Sequence, residues 1–224
     1  DALRVFMEGS DFVESAEWWH LNGSTPWGCI ASQTLVHPVY HVFKMYGSHF
    51  GDNLVPTRVL GSPSFDYVQS GGVLYSQYDM DYLTAISSKS ADGNELCLIV
   101  VNKDRANSRT AIVDLAQFAQ LPNTHVEAEI WELNGPDVDD YSHPENVTIA
   151  ESDALLAPSF EYSFPAHSVT SFKFVSRQPD VSAVALGDFK NLAPGSLASV
   201  ENCVVSGVFD DGVYIQSTDR SSGI

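Results

Sequence analysis

The sequence predicts a mainly β protein: an antiparallel, jelly-roll-like β-sandwich, preceded by a short α/β stretch and followed by a smaller β module. Three textures along the chain predict it. Residues 1–53 carry apolar residues at helical spacing on either side of one strand-like run. Residues 54–178 switch to short runs rich in β-branched and aromatic residues, separated by turn-formers. After the segment RQPD, residues 177–180, the alternation restarts and fills residues 179–224. At 224 residues the chain is long enough for more than one core, since a domain takes ~100 to 200 residues.

In the first region, DALRVFMEGSDF places Leu3, Phe6 and Met7 on one side of a helix, and SAEWWHLN, residues 15–22, reads as a short strand. A second helix is expected over HPVYHVFKMYGSHFG, residues 37–51. Pro38 suits its first turn, and Val39, Val42, Phe43, Tyr46 and Phe50 recur every three or four positions. Gly51 is expected to end it in a left-handed cap. One strand between two helices leaves both strand edges unpaired, so this stretch cannot close a core alone.

In the second region, strands are expected at DYLTAISS, ELCLIVVN, RTAIVDL, HVEAEIWEL and FEYSFPAHSVTSFKFV. Phe160, Tyr162 and Phe164 alternate onto one face, and Thr170, Phe172 and Phe174 do so after the PAH bend, which predicts a packed core. In the third region, VSAVALGDF leads to a turn at Pro194 and Gly195. Two alternating strands follow, with Asp211 and Gly212 as the hairpin turn between them. About three strands fall short of a closed five-stranded barrel.

There are 29 acidic against 11 basic residues, a formal charge of −18, and no basic stripe that would follow a phosphate backbone. Nucleic acid and anionic membrane are excluded as partners on that ground, while neutral glycans remain compatible. Cys29, Cys97 and Cys203 are odd in number and far apart, so they predict free buried thiols and neither a disulfide framework nor a CxxC metal site. No run of ~18 apolar residues occurs, and the N-terminus has neither an initiator methionine nor the regions of a secretory signal. The chain is therefore read as a portion of a longer protein.

The segment EWWHLNGSTPWGC, residues 17–29, packs three tryptophans and a histidine into thirteen positions. Together with SDFVESA before it and PVYHVFKMYGSHFGD after it, it resembles the end of the catalytic barrel in α-L-arabinofuranosidases of glycoside hydrolase family 51. The run LCLIVVNKDRANSRTAIVDL, then WELNGPDVDDYSHPENVT, then FEYSFPAHSVTSFKF is similar to that family's C-terminal sandwich. The ordered combination covers residues 1–176 and is more specific than either half. The tail, ending GVYIQSTDRSSGI, looks like the start of an OB-like module.

The resemblance implies that residues 1–53 are the last α/β unit of a (β/α)8 barrel, 54–178 the sandwich and 179–224 a partial OB-like module. It implies a retaining, exo-acting enzyme acting on arabinose-containing oligo- or polysaccharides, with no cofactor or metal, in the extracellular or periplasmic space of a bacterium. Such a mechanism uses two carboxyl groups ~5 to 5.5 Å apart, an acid/base and a nucleophile. Neither motif is present here, so the catalytic glutamates are expected upstream and the isolated chain is expected to be inactive. The alternative is a carbohydrate-binding or structural β-sandwich protein without hydrolytic function, because sandwiches host both roles.

Functional side chains of a barrel project from the C-terminal ends of its strands. On the resemblance, Trp18 and His20 alternate onto one side of the last strand and Trp27 lies in the loop after it. These three are the candidate substrate-binding residues: indole faces pack on sugar rings and imidazole donates to hydroxyls. The competing reading is that the indoles pack between barrel and helices. His20 departs from the amide usual at this position of the family, which argues against strict arabinofuranoside specificity.

Other candidates have plainer readings. Glu8, Glu14 and Glu17 are expected to be solvated, and His37 and His41, spaced i and i+4, to lie on a polar helix face or at its N-terminal cap. Asn22 and Asn146 match a glycosylation pattern to which no function is attached. DVDD, residues 137–140, is expected to be a solvated turn.

Overall fold

The computed structural model describes residues 1–17, 21–22, 28–32, 35–68, 76–115, 118, 125–137, 143–176, 184–189, 191–192, 199–200, 202–209 and 212–218. The chain divides into two compact units, residues 1–177 and 178–224. Among the described residues no helix is long and apolar enough to cross a membrane.

The first unit begins with α1 (Ala2–Glu8) and α2 (Pro38–Ser48) and continues in strands: β1 (Asn53–Val55), β2 (Ser64–Tyr67), β3 (Gln77–Asp81), β4 (Leu83–Lys89), β5 (Glu95–Asn102), β6 (Arg109–Asp114) and β7 (Val126–Asn134). A 3-10 turn at Pro144–Asn146 precedes β8 (Thr148–Leu156), β9 (Ser159–Phe164) and β10 (Val169–Ser176). Six strands form one antiparallel sheet in the order β1-β4-β5-β10-β7-β8; β6 pairs with β9, and β2 with β3. The last strand, β10, is thus inserted between β5 and β7.

Paired residues across an antiparallel ladder point to the same face. On one face the register aligns Leu98, Phe172 and Ile130, and beside them Leu96, Phe174 and Ala128. The β6–β9 pair supplies Val113, Phe160, Tyr162 and Phe164 to this core, so the second layer of a sandwich lies here. The aromatic alternation in β9 and β10 therefore packs as expected. Residues 96–100 of β5 are buried throughout, because both faces of this central strand are covered.

The opposite face carries Trp131, Leu133, Ile149 and Val169, against which α2 packs Met45 and Val42. This third layer sets the course of the chain entering the sandwich. Three expectations for this stretch change. Ser15–Glu17 of the expected strand have no regular structure, its centre at Trp18, Trp19 and His20 lies outside the described residues, and Asn22 makes an isolated bridge to Ile30. Leu3 and Met7 are half-buried, but Phe6 is exposed.

Gly51 does not cap α2 in a left-handed conformation. The helix closes at His49, whose N–H donates to the Met45 carbonyl at 2.7 Å, with φ −116°. The reason for glycine lies two residues on: a Cβ at Gly51 would stand 2.5 Å from the backbone carbonyl carbon and oxygen of Lys89. Close approach to β4 demands it, and φ does not.

The second unit contains α3 (Leu186–Phe189), β11 (Cys203–Phe209) and β12 (Gly212–Ser217) among its described residues. β11 and β12 form the expected antiparallel hairpin, with an irregularity between Val205 and Gly207. Gly212 pairs with Phe209 as the first residue of β12, so it belongs to the strand, while Asp211 lies outside the described residues. Pro194 and Gly195 lie outside the described residues. All three cysteines are free; Cys29 and Cys97 are buried as expected, and Cys203 is half-buried.

Candidate functional site

The three candidate sugar contacts, Trp18, His20 and Trp27, lie outside the described residues, as do Val138, Asp139 and Asp140 of the acidic turn. What borders the indole-rich segment is described. The Ile30 N–H donates to the Leu21 carbonyl at 3.0 Å, and Asn22 and Ile30 form a parallel bridge. The His37 N–H donates to the Cys29 carbonyl at 2.9 Å, hanging the end of the segment on the start of α2.

His37 is the N-cap residue of α2, with Pro38 in the first turn, but its side chain makes no capping bond. Its ring is buried instead. His37 Nε2 and His41 Nδ1 have no hydrogen-bond partner among the described residues. Burial, with the nearby Lys44 charge second, lowers the His41 pKa, and burial raises that of the Cys29 thiol. No group of three or more His, Cys, Asp or Glu side chains among the described residues is placed to hold a metal.

Glu8, Glu14 and Glu17 are exposed. Arg4 Nη1 donates to Glu8 Oε2 at 2.6 Å, an i,i+4 pair on α1. These carboxylates face solvent, as their sequence context predicts.

The C-terminal end of α2 is a polar and buried junction of the first unit. His49 is 1% exposed, and its ring lies 4.2 Å from the Trp131 ring centre on β7. His49 Nδ1 meets the fully buried Ser171 Oγ of β10 at 2.9 Å. His49 Nε2 stands 3.6 Å from Glu129 Oε1, and that same oxygen accepts from Trp131 Nε1 at 2.9 Å. Burial is the largest influence on His49 and depresses its pKa, with Glu129 and Ser171 opposing and Lys173 assisting. Next in sequence, the Gly51 N–H donates to Ser88 Oγ at 2.8 Å and Asp52 Oδ2 accepts from the Ala91 N–H at 2.8 Å. The segment His49–Asp52 is thereby fastened to β4, β7 and β10. The sequence reading placed Phe50 on the apolar stripe of the helix and Gly51 at its end and missed His49, whose partners lie 80 to 122 positions away.

Beyond the end of α2 the same sheet face opens into a depression of about 540 Å³. It is lined by Glu95, Glu127, Glu129, Asp153 and Lys173, with Ala154, Leu155 and Val175 between them. Lys173 Nζ pairs with Glu95 Oε2 at 3.1 Å. Cys97 lies beside Lys173 in the register, and burial pushes its thiol up to about 11, which removes it as a nucleophile at neutral pH.

A second polar knot ties the loops at one end of the sandwich. Asn102 Nδ2 donates to the carbonyls of Asn107, Phe164 and Pro165 at 3.1, 3.1 and 2.7 Å, and its Oδ1 accepts from the Asp104 N–H. Asp104 accepts from the N–H groups of Ala106 and Asn107 and from the Arg109 guanidinium. Burial raises the Asp104 pKa, but these donors outweigh it and leave the carboxyl below its ordinary value. The His167 ring spans the Arg105 and Gly135 carbonyls at 2.9 and 2.8 Å. The VN and PAHS motifs of the sequence are thus loop fasteners that fix the ends of β5, β7 and β9.

A model of the α-L-arabinofuranosidase C-terminal domain matches residues 29–168, which include α2 and the strands β1 to β9 and stop just before β10. No curated protein matches the chain by sequence. Among solved structures, the thermostable GH51 α-L-arabinofuranosidase from Thermotoga petrophila is similar over 76% of this chain and 36% of its own, at 24% identity and a TM-score of 0.62. The arabinose complex of the α-L-arabinofuranosidase from Thermotoga maritima gives the same values. An arabinose-bound GH51 enzyme of 16% identity is covered over 26% of its length, at a TM-score of 0.58. The chain spans about a third of the length of the Thermotoga proteins, and the likeness carries the fold. Since the domain model covers more than half of the sequence, the chain belongs to the α-L-arabinofuranosidase C-terminal domain family of GH51.

Proposed function

We propose that the chain is the C-terminal portion of a retaining, exo-acting α-L-arabinofuranosidase. In this reading residues 1–53 are the last α/β unit of a (β/α)8 barrel, and the sandwich braces that barrel through α2. The observation that carries it is the family match beginning at Cys29: it spans α2 together with β7 and β8, two of the strands on which α2 is seated. A helix held by Met45, Trp131 and Leu133 is a rigid strut, and supporting layers of that kind fix catalytic groups on distant strands.

Trp18, His20 and Trp27 then form one wall of the sugar pocket, with indole faces against the ring and the imidazole on a hydroxyl. The acid/base and nucleophile glutamates belong to earlier barrel strands. The substrates are arabinose-containing oligo- or polysaccharides, with the sugar bound in the two arabinose complexes above as the reference ligand. Residues 179–224 are part of an OB-like accessory module, and the enzyme works outside the bacterial cytoplasm.

The test uses the full-length enzyme and an aryl α-L-arabinofuranoside. His20→Ala and Trp27→Ala should each lower kcat/KM by roughly tenfold or more without shifting Tm, because a lost transition-state contact appears in that ratio. Unchanged kinetics in both variants would return the wall to a packing role. The 224-residue chain alone should give no turnover, and hydrolysis above a buffer blank would mean that a reactive carboxyl pair lies within it.

A further inference from the structure

His49 occupies a buried position that disfavours its charged form. The ring is 1% exposed and Ser171 is fully buried, so water replaces neither partner. In the neutral imidazole Ser171 Oγ–H donates to Nδ1, while Nε2 has no hydrogen bond among the described residues and stands 3.6 Å from Glu129 Oε1. Adding a proton puts N–H groups on both nitrogens. Ser171 must then accept, and its own hydroxyl hydrogen is left in a buried setting without water. The proton also brings a charge onto a ring that is 1% exposed, a burial cost that Glu129 and the tilted Trp131 ring only partly offset.

We propose that His49 is an acid-sensitive latch: neutral, it locks the C-terminal end of α2 to the sheet, and its protonation loosens that junction. The inference stands on the first unit alone and does not require the enzymatic reading.

Charged groups surround His49 on several elements. From β7, Glu129 favours the protonated ring; from β10, Lys173 opposes it and is itself paired with Glu95 of β5. From β8, Asp153 stands opposite Glu129 in the register, and Glu151 pairs with Lys44 of α2 at 3.4 Å. On α2 itself Lys44 lies over the Trp131 ring, and His41 is one turn or more away toward the N-terminus. Burial dominates this balance, so the folded-state pKa of His49 lies below the ordinary histidine value. The sign follows from proton linkage. A loosened or unfolded chain takes up the proton first, near pH ~6.5, so the latch contributes fully above that pH. Its contribution falls as the pH drops from there toward the folded-state pKa.

The experiment compares the 224-residue chain with His49→Gln, which keeps an acceptor for Ser171 and never titrates. Between pH ~7.5 and ~5.0 the wild-type melting temperature should fall by about 3 °C more than that of the variant. Equal slopes would overturn the latch. A wild-type NMR titration of the His49 ring needs no variant: the ring should titrate below the ordinary histidine value, and protonation at or above that value would refute the proposal. Glu129→Gln removes the countercharge while keeping an acceptor for Trp131, so it should steepen the acid loss; a shallower profile would count against the mechanism.

Discussion

On one face of the six-stranded sheet, Phe172 and Phe174 stack with ring centres 5.3 Å apart, and Tyr162 meets Phe172 edge-on at 4.9 Å. Almost every group there is apolar, and the second layer is held by its area. On the other face one helix of eleven residues is held by a small cluster around Met45 and Trp131, then by discrete polar fastenings at His49, Gly51 and Asp52. Apolar contact is non-directional and tolerates small shifts of one layer over another. Hydrogen bonds and a glycine close approach do not, so they set where the helix ends relative to the strands. The first face supplies stability and the second supplies register.

The comparison can be broken at three places, in decreasing order of effect. Phe172→Ala empties the centre of the aromatic face and should cost ~3 to 5 kcal/mol in denaturant unfolding. A loss below ~1 kcal/mol would mean that this face is not the main source of stability. Gly51→Ala forces a Cβ into the Lys89 backbone and should cost ~1 to 3 kcal/mol. Hydrogen exchange should locate its effect in α2 and leave β5 and β10 protected; uniform loss of protection would remove the distinction between the faces. Lys44→Ala deletes an exposed pair with Glu151 and a cation–π contact 4.6 Å above Trp131. It should cost ~0.5 to 1 kcal/mol, with the ion-pair part screened by salt.

Strands whose side chains alternate against a core were legible, and those exposed on their flanks were not. β5 reads as a strand because both of its faces are buried, and β9 and β10 because their aromatics alternate. β8, with the sequence TIAESDALL, was missed: it is an edge strand, mostly exposed, carrying Glu151 and Asp153 where an apolar alternation would have marked it. Such charges on an edge also discourage pairing with other chains. β1, β2 and β3 are short and largely exposed, and left no pattern to read. Of the candidate site, the indole-rich segment stood out by composition. His49 did not, since a histidine after a helix looks like any other polar residue until Ser171 is beside it.

Local information determined the strand and helix textures, the placement of the aromatic core, the free cysteines and the family to which the chain belongs. The textures and the aromatic core follow from side chains whose period is set by backbone geometry within a few residues, the thiols from the number and spacing of the cysteines, and the family from the ordered segments that resemble it. Tertiary structure alone decided that β10 enters between β5 and β7, that Gly51 serves β4 and not the helix cap, and that His49 meets a serine 122 positions away. Those outcomes depend on which distant segments close on one another, and the chain folds to the closure that leaves the fewest buried polar groups unpaired and the least apolar surface in water.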